Sequence, residues 1–499
     1  MMPGKMDRLK EIVAEAMDLN HVQFLLQWDQ QVCMPPGGEE DRSHAMAIIA
    51  RFLHDKFTNE EIQSLATDVA HKGDIEPGSE DAYLLRSVTR EIKKQTRIPA
   101  RWVEEFALVT TRAHGAWARA RHESNFGHFL PFMQKIVEMR GEYASFFAPY
   151  DHIYDPLLDD FEPGMKTFDV ISVFDAIKPR QIELVQRIQQ SRPVEDSFLH
   201  RPYSETGQME FNRSVLSTIG LDWNRCKLDF SAHPFTMSMG TGDVRLTTRF
   251  DANNGLSSFF SCVHEGGHAL YESGIPRSVS RSLLGRLDAM AAHESQSRLW
   301  ENLIGRSKPF WKFFFPQLKN LFPIQLEGIH LDQFYKGINK SEPSLIRVES
   351  DEATYNLHIF LRMEIEIQLL TGQCRVKDLP ELWNAKMREM LGLTPPDDAR
   401  GVLQDVHWSS GYFGYFPTYA LGNVISAQIW DTIRGAFPDI EERIAEGRFD
   451  TLLNWLKQHI FSHSAKYSTQ ELMKISTGST IKSEHYIQYL ENKYSEIYS

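Results

Sequence analysis

Hydrophobic positions recur at helical spacing over most of the chain. Ile12, Ala16, Leu19, Val22, Leu25 and Leu26 form one stripe, and Phe129, Phe132, Ile136 and Met139 form another. Val170, Val173, Ile177, Ile182, Val185 and Ile188 continue the pattern with a shift of phase. Turn clusters such as Met34-Pro35-Pro36-Gly37-Gly38 and Glu162-Pro163-Gly164 separate these stripes. No repeat or low-complexity linker interrupts them. The pattern predicts a mainly α protein, with residues 1–499 forming a single large helical domain. Residues 227–250, KLDFSAHPFTMSMGTGDVRLTTRF, break the rhythm. Their Thr, Phe and Val content around Gly240-Thr241-Gly242-Asp243 predicts a short β-hairpin. An exposed strand edge there suits the binding of an extended peptide by main-chain hydrogen bonds.

Composition narrows the partners. Of 499 residues, 42% are hydrophobic and 24% charged, the mix of a globular protein rather than a disordered one. The formal net charge is -13 with no long basic tract, which argues against nucleic acid or an anionic membrane surface as partner. The most basic stretch, residues 86–101, is broken by Glu91 and Pro99 and reads as a solvated helix end and turn. Cys33, Cys226, Cys262 and Cys374 lie far apart and form no C-x-x-C pair. No segment approaches the ~20 apolar residues of a membrane span, and the N-terminus lacks a signal-peptide core. A reduced, cytoplasmic setting is expected.

The chemistry concentrates at His264-Glu265-Gly266-Gly267-His268, an H-E-x-x-H match. On a helix, the i, i+4 spacing puts both imidazoles on one face, able to grip one zinc ion, with Glu265 beside it as general base. The bland alternative is a surface helix turn that happens to carry two histidines. The apolar flanks, Phe259 to Val263 and Ala269 to Tyr271, count against it, because buried polar side chains need partners. Gly266 and Gly267 each cost a helix interior about 1 kcal/mol relative to alanine. They suggest that a strand or the substrate approaches the backbone closely there. A catalytic zinc keeps three protein ligands. The third has to be a carboxylate, because Tyr271 and Gly274 stand where an extended motif would place its Gly and third His. Glu272, Asp288, Glu294 and Glu301 are the candidates. Glu294 is the best placed, on a second helix returning after residues 274–285, with Glu301 next.

Several separated stretches resemble the thermostable-carboxypeptidase type of zinc metallocarboxypeptidase. They are His233-Pro234-Phe235, the D-x-R-x-T of Asp243, Arg245 and Thr247, HEGGH, His293-Glu294-Ser295-Gln296, IRVESD at 346–351, and GVLQDVHW at 401–408. Weaker echoes are Trp28-Asp29-Gln30 and LLDDFEPG at 157–164. Ser350 stands where that family often has alanine. The resemblance implies a neurolysin-like zincin fold with a deep substrate groove and a small hairpin or sheet beside the zinc helix. Roughly residues 1–75 would form a helical segment partly covering the groove. It also implies Glu294 as third ligand, Glu265 as base, a homodimer, and release of single C-terminal residues with broad preference, proline disfavoured.

Holding a peptide's terminal carboxylate calls for a fixed cation, and arginine's planar fork suits it. Arg347 is the first choice, unless it is paired structurally with Glu349 or Asp351. Arg245 is the second, although Asp243 is placed to hold it. An oxyanion donor is expected from residues 404–419, QDVHWSSGYFGYFPTY: His407 with a tyrosine, Tyr415 ahead of Tyr412 and Tyr419. Tyr419 and His233 join the substrate-binding candidates, while His293 reads as structural or as a support to a ligand. Zinc is the expected cofactor, replaceable by cobalt or manganese, and peptides are the expected partners. The rival readings are a neurolysin-like oligoendopeptidase and a non-catalytic helical zinc-binding protein.

Overall fold

The computed structural model describes residues 4–72, 75–251 and 254–499. Helices follow the predicted stripes. Leu130–Ser145 buries Ile136 and Met139, with Phe129 at its entry, and Thr167–Gln189 buries Val170, Ile177, Val185 and Ile188. The first stripe is only half correct. Helix Lys5–Val32 buries Ile12 and Ala16, but Val22 and Leu25 face outward. The second half of this helix leaves the small core it shares with the next two helices and crosses the sheet, where Trp28 meets Phe235 at 5.2 Å.

That smaller core joins Leu9, Ile12 and Val13 to Phe57, Ile62 and Val88, and to Ile275, Val279 and Leu283 beyond the H-E-x-x-H motif. The main core holds most other buried apolar side chains. Its aromatic centre, Phe211, Phe259, Phe310, Trp311 and Phe314, backs the motif helix Ser257–Gly274.

The predicted hairpin is present with one strand more. Strands β1 (Cys226–Phe230), β2 (Thr236–Ser238) and β3 (Val244–Thr248) pair in the order β1-β3-β2. β1 runs parallel to β3, and β2 is the antiparallel edge strand. The turn between β2 and β3 uses Gly240 at φ 109°, a left-handed conformation that glycine adopts without strain. The sheet leans on the motif helix through β3, where Thr248 Oγ1 donates to the carbonyl of Ser258.

Candidate active site

The motif helix is buried along almost its whole length, so its polar residues lie inside the molecule. Helix Met290–Arg298 returns alongside it, continued by a π-helical turn at Leu299–Ile304. The approach is close at Gly267, where a Cβ would lie 2.7 Å from the carbonyl oxygen of Gln296 and 2.7 Å from Cα of Ser297. A Cβ on Gly266 would meet Leu216 at 2.5 Å. Both glycines are thus explained by packing, and the element approaching Gly267 is the helix that carries Glu294, neither a strand nor the substrate. On the far side of Glu294 lies helix Pro417–Ala436, where a Cβ on Gly422 would stand 2.5 Å from the Glu294 Cγ.

This packing brings His264, His268 and Glu294 together, with one donor atom from each lying within 4.8 Å of the others. Glu294 Oε2 lies 3.7 Å from His264 Nε2 and 3.5 Å from His268 Nε2. Two nitrogens and one carboxylate oxygen around a common point form the donor set of a catalytic zinc site, and these residues fit that ion. Burial, with His293 beside it, pushes His268 down to about 3, so its imidazole is neutral. His264 moves the other way, because Glu294 and a hydrogen bond with Glu301 outweigh its burial. Burial works against the Glu294 charge too, yet Arg298 and His264 hold the carboxyl well below its ordinary range.

A ring of supporting groups surrounds the cluster. Glu301 Oε2 lies 2.9 Å from His264 Nδ1, which leaves Nε2 to face the centre. Arg298 donates to Glu294 at 2.6 Å and to Glu301 at 3.3 Å, and its guanidinium lies over Tyr355. His293 stacks on His268 with ring centres 4.1 Å apart and bonds Glu272 at 2.9 Å, so both serve the ligands from behind. Asp288 is bound instead by Arg286. Glu265 is also fully enclosed, and burial raises its carboxyl above the usual range. Thr236 of the edge strand β2 fixes it, the hydroxyl lying 2.7 Å from Oε2 and 3.0 Å from the Glu265 carbonyl.

Two cavities flank the cluster. One of about 250 Å³ runs along β2, between helix Lys5–Val32 and His293. The other, about 440 Å³, is lined by Phe161, His407, Tyr412, Tyr415 and Tyr419. They meet at Leu287 and Met290.

Residues 8–494 match the carboxypeptidase Taq (M32) metallopeptidase family. The chain belongs to that family. It is 38% identical to thermostable carboxypeptidase 1 of Thermus thermophilus over 98% of both chains. It is 34% identical to carboxypeptidase 1 of Bacillus subtilis, over 99% of this chain and 97% of that one. The crystal structure of an M32 carboxypeptidase from Deinococcus radiodurans superposes with a TM-score of 0.97 at 34% identity, covering 99% of each chain. The chain is therefore a metallocarboxypeptidase, as its motifs suggested, and the oligoendopeptidase reading is not favoured.

In this M32 enzyme, Arg347 is buried and pairs with neither Glu349 nor Asp351. Its Nε and Nη2 donate to Asp405 Oδ1 at 3.1 and 2.7 Å, and its Nη1 donates to Tyr355 Oη at 2.9 Å. Three of five guanidinium N–H groups are thus used, leaving two. Arg362 takes the other Asp405 oxygen at 2.7 Å from its Nε, so the carboxylate is shared by two cations and held far below its ordinary range despite burial. Arg245 is gripped by Asp243 at 2.8 and 2.7 Å through Nε and Nη2 and lies over Trp28, which leaves three of its N–H groups. His233 is exposed, and its carbonyl accepts from Ser231 Oγ.

His407, Tyr415 and Tyr419 do come together. His407 Nε2 lies 3.3 Å from Tyr419 Oη, and Tyr415 packs edge-on to Tyr419 at 5.2 Å. Burial pushes His407 down to about 4, leaving a neutral ring. Burial and the nearby Glu294 charge push Tyr415 up to about 12, so its hydroxyl keeps its proton. Sequence reasoning missed Thr236, Arg298, Tyr355, Asp405 and Gly422. Only Arg298, four residues after Glu294, carried a readable spacing signal, although Asp405 sits inside the QDVHW stretch.

Proposed function

We propose that the enzyme releases single C-terminal residues from peptides, with broad preference and proline disfavoured, using one zinc ion held by His264, His268 and Glu294. The observation that carries this reading is the convergence of those three donors within 4.8 Å, beside a buried glutamate fixed by Thr236. Bound zinc would act as a Lewis acid and bring the pKa of a water toward ~7; cobalt or manganese can substitute at such a site.

Glu265 accepts the proton of the attacking water and passes it to the leaving amine. Its raised carboxyl and the Thr236 contact suit a base that must both take and give a proton. Arg347 holds the terminal carboxylate with its two remaining N–H groups while Asp405 fixes its plane. Arg245, His233 and Tyr419 border the substrate, and Tyr415 with His407 stabilises the oxyanion. The neutral His407 and the protonated Tyr415 support donation from this side. The chain works as one peptidase domain, with roughly residues 1–75 covering part of the groove. It acts as a cytoplasmic homodimer on peptides, a setting its four unpaired cysteines fit.

Glu265→Gln should keep about one zinc per chain and lose nearly all turnover; unchanged turnover ends the proposed role. A peptide and its C-terminal amide test the mode of attack. Mass spectrometry should show stepwise shortening of the free acid alone, whereas equal internal cleavage of both would favour an oligoendopeptidase. Arg347→Ala should depress kcat/KM for the free acid by at least tenfold, a charged hydrogen bond being worth about 1.5–3 kcal/mol.

A further inference from the structure

A cavity of about 620 Å³ lies beyond the metal cleft. It falls in the ~300–1,000 Å³ range of ligand sites. It shares Leu287 with both flanking cavities and Asp288 with the aromatic one, and it reaches Ala292 on the helix that carries Glu294. One wall is helix Glu80–Arg97, the stretch whose charges read from sequence as a solvated helix end. Arg86, Arg90, Lys93, Lys94 and Arg97 line the cavity from this helix, and Lys166 joins them from the turn before Thr167.

Four of these six cations are committed. Arg86 is held by the carbonyl of Lys466 and lies 3.6 Å from Glu471. Arg90 bonds Asp159 at 2.9 Å, Lys94 meets Asp160 at 2.6 Å, and Lys166 meets Asp151 at 2.8 Å. The cavity's own acids are engaged too: Asp159 with Arg90, Asp288 with Arg286, Asp155 with the Thr167 amide, and Glu471 with the Ser468 amide. Lys93 and Arg97 are left without a carboxylate partner among the described residues; Arg97 lies over Phe147, 6.0 Å from its ring centre. Two exposed cations thus face a cavity that continues into the cleft, on a chain whose net charge of -13 repels anions elsewhere.

We propose that Lys93 and Arg97 form an acid-selecting subsite, which favours peptide substrates carrying Asp or Glu at a fixed distance from the scissile bond. The inference rests on the peptidase activity, not on the role given to Arg347. Its test compares matched peptides with Glu or Gln at each of the second to sixth positions from the C-terminus, with release of the last residue followed at low and high salt. At one or two adjacent positions, kcat/KM for Glu should exceed that for Gln by about three- to tenfold, the scale of two exposed ion pairs. The ratio should fall toward one at high salt, where charges are screened within a few ångströms. It should also fall toward one in the double variant Lys93→Ala/Arg97→Ala, which should hydrolyse the Gln peptides at the wild-type rate. A ratio of one at every position, or a preference that survives the double variant, overturns the proposal. So does equal loss on Glu and Gln peptides, which would make the two cations part of the general machinery.

Discussion

Glu301 shows how one residue can satisfy a spacing argument for a role other than the one first considered. Glu294 and Glu301 lie seven residues apart with Arg298 between them, and both carboxylates point toward His264. Glu301 ends on His264 Nδ1, and that hydrogen bond, helped by the Arg298 charge, holds its carboxyl at about 2 against its burial. A carboxylate behind a metal-binding imidazole fixes its tautomer and raises its basicity, and losing such a partner costs about 10–100-fold in metal affinity. Glu301→Gln should weaken zinc binding by that factor in competition with a chromophoric chelator; wild-type affinity would refute the support role. H-E-x-x-H was legible because its chemistry repeats within one helical turn, and Glu294 was legible as the acid one helix away. Thr236 and Asp405 were not, because they reach Glu265 and Arg347 across 29 and 58 residues, and no local periodicity encodes such contacts.

Between elements, the fit is set by small residues and buried carboxylates that a sequence pattern does not display. The helical stripes gave the elements, but not that Gly267 and Gly422 clamp the Glu294 helix from two sides. Gly422→Ala would press a methyl into Glu294. Overpacking of this kind costs about 1–3 kcal/mol, and here it should also lower zinc occupancy, read by denaturant melts and metal analysis together. Glu366 plays the comparable part for the aromatic segment. It accepts from Tyr154 Oη, Trp408 Nε1 and the Gly414 amide, bracketing the turn that carries His407 and leads to Tyr415. Burial without a paired cation raises its carboxyl from 4.5 to about 7. The folded state therefore favours the protonated form. Stability is present in full below pH ~4.5 and is lost as pH rises to ~7, by up to roughly 3 kcal/mol at about 1.36 kcal/mol per unit. Relative to wild type, Glu366→Gln should gain stability between pH 5 and 7.5. A constant difference between the two melting series would show that Glu366 does not titrate in that range.

Across the whole molecule, the cluster of His264, His268 and Glu294 ties the motif helix to the Glu294 helix, while the groups proposed to hold the substrate come mainly from residues 347–419. Whether the ion is needed to hold these parts together depends on what its removal exposes. Glu294 stays bonded to Arg298 and Ser297 without it, and His268 is neutral, so no buried charge is left uncompensated. The aromatic core behind the motif helix is also independent of the ion. The chelated enzyme should therefore keep its helical far-ultraviolet signal at 25 °C while losing turnover. Its thermal midpoint should still fall, because a ligand present at a thousand times its Kd stabilises by about 4 kcal/mol. With an unfolding entropy near 2.1 cal/mol/K per residue, 499 residues give about 1 kcal/mol/K, so the expected drop is roughly 4 °C. Calorimetry with and without chelator measures it. Collapse of the helical signal on chelation would mean that zinc is a folding element here, not a reagent placed in a site that packing has already built.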